Sequence, residues 1–133
     1  MTAKDYLRSI RDSDRRINAK LDQATRLRSL AERMTSVLDP NRGSGRSSGD
    51  KTDSIDRLID LERELDTMVN ELVDKKRCAM AAIEALEDDR ERDVLRFRYL
   101  NGWSWQRIAM ALHCDRSTVW RWHGDALQHI RIP

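Results

Sequence analysis

Apolar residues recur in steps of three and four through most of the first 87 positions, and little interrupts them. In the first stretch they are Leu7, Ile10, Ile17, Leu21, Ala24, Leu27, Leu30, Ala31, Met34, Val37 and Leu38. In the second they are Ile55, Leu58, Leu65, Met68, Val69, Leu72, Ala79, Ile83 and Leu86. These steps place side chains on one face of an α-helix. Leu58, Leu65, Leu72, Ala79 and Leu86 are also seven apart, the repeat that bends a helix into a left-handed supercoil. Helix breakers are scarce. The chain has two prolines and five glycines, and Gly43, Gly45 and Gly49 fall in one loop. An all-α chain is expected.

The first helix should run over about 3–38. Thr2 and Asp5 have the spacing of a capping box. Asp39 precedes Pro40, and a residue before proline avoids the helical region. Residues 39–50, DPNRGSGRSSGD, read as a flexible polar loop. The second helix is expected over about 52–87. Two long helices joined by such a loop fold back most simply as an antiparallel coiled-coil hairpin, and residues 1–87 form the first expected domain. Asp14, Arg28, Glu62 and Lys76 interrupt the seam, while Ile59, Leu61, Val73 and Met80 lie beside it. The stripe is wider than two helices cover, which implies a further partner. That partner is the C-terminal domain, a second copy or another protein, and of these a homodimer through a four-helix bundle fits best; the seam itself fits a hairpin and an intermolecular coiled coil alike.

Composition narrows the function. Neither cysteine, Cys78 or Cys114, has a neighbour at metal-site spacing, so no metal or other cofactor is expected. There is no signal-peptide core, and no apolar run approaches the ~20 residues of a membrane span. A soluble protein of a reducing cytosol is expected. There is no phosphate loop or paired nucleophile and base, so an enzyme is not expected. Charge is uneven. From Val94 onward, Arg96, Arg98, Arg107, Arg116, Arg121 and Arg131 stand against Asp115 and Asp125, a balance of +4 in a chain of net +2. Arginine offers a planar fork that fits phosphates and guanine edges.

The second expected domain, residues 88–133, is a three-helix unit with helix-turn-helix punctuation. Asp88 can cap its first helix, with Glu91 at the third position and Val94, Leu95, Phe97 or the Arg98 stem, and Leu100 along its face, beside Tyr99. Asn101-Gly102 then stops it. Ser104 suits the N-cap of a short helix, Trp105–Leu112, with Ile108, Ala109 and Leu112 inward. His113-Cys114 makes the tight turn, and Asp115 caps the last helix, from Arg116 to about Ile130. Its inner face is Val119, Trp122, Ala126, Leu127 and Ile130. That phase leaves Arg116, Ser117, Trp120 and Arg121 on the surface, near the end that enters a major groove in helix-turn-helix proteins. Ser117 and Thr118 can bond bases or phosphates, and Ser104, Gln106 and Arg107 are placed to touch the DNA backbone. Trp103, Trp105 and Trp122 are expected in the core, and His123 at the solvent or phosphate side.

The stretch ER-VL-RYL-G-S-IA-AL followed by STVWRWHGDAL resembles region 4 of bacterial sigma factors. The order of the whole chain, from MTAKDYLRSIRDSDRRINAKLDQATRLRSLAERMTS through the Gly/Ser loop and IDLERELDTMVNELVDKK to WRWHGDAL, resembles phage RinA/ArpU-type late transcriptional regulators. That resemblance implies a prophage or phage origin, control of late genes, duplex DNA as ligand, and bacterial RNA polymerase as a further candidate partner. By position it carries base contact onto Arg116, Ser117 and Arg121. Ser117 and Trp120 depart from the longer polar readers of sigma factors, so the sigma promoter preference does not carry over. Two alternatives stay open: a small terminase subunit, and a polymerase-binding module that touches no DNA.

Overall fold

The computed structural model describes residues 1–37 and 46–132. The chain is all-α. Two long helices, α1 (Ala3–Val37) and α2 (Arg46–Glu84), precede α3 (Asp89–Leu95), a π-helical turn (Arg96–Leu100), α4 (Trp105–Ala111) and α5 (Arg116–His129). The capping box of α1 forms as expected. Asp5 N donates to Thr2 Oγ1 at 3.1 Å, and Thr2 N donates to Asp5 Oδ2 at 3.4 Å. The Thr2 hydrogen bonds hold the Asp5 carboxyl below the usual carboxylate range.

Helix α2 begins at Arg46, about six residues earlier than its periodicity suggests. The expected loop 39–50 is therefore helical from residue 46, and its remainder lies outside the described residues. Once a helix is nucleated, each added residue gains a hydrogen bond. A strongly periodic segment can thus extend into poor helix formers such as Gly49.

The chain divides into two compact units, residues 15–70 and residues 1–14 with 71–133. In the first unit α1 and α2 run antiparallel: Lys20 Nζ lies 2.7 Å from Glu64 Oε1, and Arg28 Nη2 lies 2.8 Å from Glu62 Oε1. Ile17, Ala24, Leu61 and Leu65 are buried there. Leu61 thus belongs to the seam and not to its margin, while Leu21 at 47% and Leu30 at 40% exposure stand partly outside it. In the second unit, Lys76 Nζ approaches Asp14 Oδ2 at 3.4 Å and Tyr6 Oη donates to Lys75 O at 3.2 Å. The four charges that break the seam pattern therefore pair with one another, Arg28 with Glu62 and Lys76 with Asp14. Such partly exposed pairs add only about 0–1 kcal/mol each.

Helix α2 ends at Glu84 without a glycine or proline. Asp88 then starts α3, its Oδ1 accepting from Arg90 N at 2.8 Å and Glu91 N at 3.4 Å. Glu91 does not complete a capping box. Its buried carboxylate instead meets His129 Nδ1, at 2.8 and 3.1 Å, which ties the end of α5 to the start of α3. The π turn shifts the phase of the following residues. Asn101 N donates five residues back to Arg96 O at 3.0 Å, and Tyr99 is buried where the simple helical phase favours Leu100. Gly102 stops the element in the left-handed region, at φ 73°, as a glycine permits.

Candidate nucleic-acid interface

Helices α4 and α5 pack with α3 around Val94, Ile108, Ala109 and Val119, all buried. Phe97, Trp103, Trp105, Leu112, Cys114 and Trp122 close the sides of that core and remain partly accessible. Ser104 caps α4 as its sequence suggests, its Oγ accepting from Arg107 N at 3.2 Å. His113 turns the chain between the helices with φ 54°, and Cys114 N donates to Ala109 O at 3.0 Å. Asp115 occupies the N-cap position of α5 in an extended conformation, but its side chain makes no capping hydrogen bond. Its expected role as a side-chain cap is corrected: only its backbone serves, accepting from Val119 N at 3.1 Å.

Arg116, Ser117, Trp120 and Arg121 are exposed on α5, and Thr118 is half-buried. Ser104, Gln106 and Arg107 are exposed at the start of α4. The structure brings Arg116, Ser117 and Trp120 together with Trp105 around one cleft. It gathers Ser104, Gln106 and Arg107 around another, with Trp103, Met110 and Ala111. Thr118 and Arg121 line neither. The Arg107 guanidinium lies 4.0 Å over the Trp103 ring, a cation–π contact that orients its charge.

His123 is the clearest departure from expectation. It is buried, at 3% exposure, and its Nε2 lies 2.7 Å from Tyr99 Oη. Burial, helped by the positive charges of Lys4, Arg98 and Arg8, pushes the imidazole down to about 4. Burial likewise raises the Tyr99 phenol, against the opposing pull of Arg98, Arg8 and Arg11. Phenol and ring are both neutral near pH 7, and Tyr99 can donate to the unprotonated nitrogen. The signal was in the sequence: His123 sits four residues after Val119 and three before Ala126, on the same helical face. Arg98 is a second residue whose role the sequence did not give. Its guanidinium lies 4.2 Å over the Trp105 ring, and its Nη1 donates to Trp103 O at 3.0 Å.

Among the described residues, no helix is long and apolar enough to cross a membrane, and no three His, Cys, Asp or Glu side chains gather as a metal ion requires. No curated protein and no solved structure gives a significant match to the chain. The model of a family described as a protein of unknown function, DUF722, matches residues 5–131. With nearly its whole length inside that match, the chain belongs to the DUF722 family.

Proposed function

We propose that this protein is a transcriptional regulator that binds duplex DNA through α4 and α5. The observation that carries the reading is the first turns of α5. Arg116, Ser117, Trp120 and Arg121 are all exposed there, on a helix held to α3 and α4 by a buried core. An exposed face at the start of the second helix of such a pair suits a major groove. Arginine can meet a guanine edge bidentately or hold a phosphate, and Ser117 can bond either. Ser104, Gln106 and Arg107, exposed at the start of α4, suit backbone contacts that set register. The resemblance to RinA/ArpU-type regulators adds a phage origin, a bacterial cytoplasmic setting and late genes as targets.

Homodimerisation through the hairpin belongs to the same proposal. Within residues 15–70, Leu21, Leu30, Ile55, Ile59 and Val69 keep 38–47% of their surface exposed, apolar area that a second copy would remove from water. A symmetric dimer would read two half-sites about one helical turn apart.

The test is selection of bound fragments from the source genome by the full chain at near-physiological salt, where non-specific binding is weak. Enrichment of one motif upstream of late genes is expected. Uniform, salt-sensitive retention of all fragments would overturn the reading in favour of packaging or a polymerase-directed role.

A further inference from the structure

Trp120 is the large aromatic side chain that the fold leaves most open, 56% exposed on α5. It does not stand alone. Its ring meets Trp105 edge-on, at 5.0 Å between centroids and 75° between planes. Together with Arg116 and Ser117 the two indoles wall a cleft of about 290 Å³.

The inner wall is held from several sides. Arg98 stacks on Trp105 at 4.2 Å and is itself anchored to the Trp103 carbonyl. His123 meets the Trp105 ring edge-on at 4.7 Å and is anchored by Tyr99. The hydrogen-bonded supports on Arg98 and His123 restrict the rotamer of Trp105. A wall that is already ordered loses little conformational entropy when something binds against it.

We propose that this cleft takes the 5-methyl edge of a thymine in the major groove, making Trp105 and Trp120 specificity-determining residues of the DNA contact. The proposal rests on the DNA-binding reading above and adds to it the base that is read. Of the four bases, only thymine presents an apolar group in that groove; the others present donors and acceptors alone. Two indole walls offer little to a polar edge and suit a methyl group. Arg116 supplies the charge complement, at the right place for a neighbouring phosphate or guanine. The indoles therefore add a preference that arginine and serine alone would not give.

The experiment is selection of duplexes from a random-sequence pool by the full chain, followed by replacement of each thymine in the selected site with uracil. Uracil keeps every hydrogen-bonding group and removes only the methyl. At one thymine of each bound site, the replacement should weaken binding on the order of fourfold, the effect of one buried methyl-sized group. Trp120→Ala should bind the thymine site about as the native chain binds the uracil site, and should no longer distinguish the two. An enriched site that tolerates uracil everywhere would overturn this proposal while keeping the DNA-binding reading, and would leave the cleft to a protein side chain. Retention of the methyl preference by Trp120→Ala would overturn it as well. Absence of any enriched site would remove both readings. The uracil scan with the native chain decides the matter even if the variant folds poorly.

Discussion

Burial and the nearby charges of Lys4, Arg98 and Arg8 keep the His123 ring neutral in the fold, at about 4. An unfolded histidine titrates near 6.5. Between those values the unfolded chain binds a proton that the folded chain lacks. The stability tied to this neutral ring is therefore complete above about pH 6.5 and is lost as pH falls towards 4, by about 3 kcal/mol in total. Denaturant midpoints at pH 7 and pH 5 should show the native chain losing about 2 kcal/mol more than His123→Gln over that interval. Equal losses would place the ring in solvent. Tyr99→Phe removes the partner of a buried ring nitrogen and should cost about 1–3 kcal/mol in the same assay. Both residues show what the sequence hid. A histidine two residues after an arginine and beside a glycine looks like surface, although its helical phase placed it inward. Tyr99 became core because the π turn displaced the face by part of a turn, and nothing in RFRYL announces an extra residue in that turn.

Helix ends tell a second story. Asp88 and Asp115 occupy equivalent N-cap positions, and sequence treats them alike. Only Asp88 bonds the first turn of its helix, through Arg90 N and Glu91 N. Asp88→Ala should cost about 1 kcal/mol, the usual effect of losing a side-chain cap, whereas Asp115→Ala should cost no more than a few tenths. Thermal melts of the two variants give the comparison, and equal losses would mean that Asp115 caps α5 after all. At Gly102 a side chain would meet no neighbouring atom, but φ is +73°. Gly102→Ala should therefore destabilise by about 1 kcal/mol through backbone strain alone. The five α-helices among the described residues, and the turns at Gly102 and His113, were legible because caps, breakers and apolar steps agree there, whereas the π-helical turn at Arg96–Leu100 was not. The early start of α2 at Arg46 was not, because serine and glycine argue against a helix that propagation from a strong neighbour overrides. The pairing of Arg28 with Glu62 and of Lys76 with Asp14 was legible only as four defects in a seam. Which defect faces which depends on a register that no single helix contains.

At the scale of the molecule, the compact unit that holds the candidate DNA face also includes the first turns of α1 and the last turns of α2. Leu7 and Ile10 are fully buried in it. All four tryptophans lie between Trp103 and Trp122, so their fluorescence reports on α4, α5 and the residues just before them. Leu7→Ala should therefore shift the fluorescence-detected unfolding of a segment about a hundred residues away, through the ~2–5 kcal/mol lost with a buried leucine. An unchanged fluorescence transition would mean that the C-terminal helices fold independently of α1. The exposed set Arg116, Ser117, Trp120 and Arg121 was legible from helical phase. The aromatic support behind it was not, because Arg98, Trp105 and His123 come from three elements. Sequence reading by this set, as proposed, is tested by the affinity of the full chain and of Arg116→Ala for a selected duplex and for its scrambled counterpart, at one near-physiological salt concentration. The native chain should favour the selected duplex, and Arg116→Ala should lose about 1–3 kcal/mol on it and much less on the scrambled one. Equal affinity of the native chain for both duplexes would mean that these residues do not read sequence.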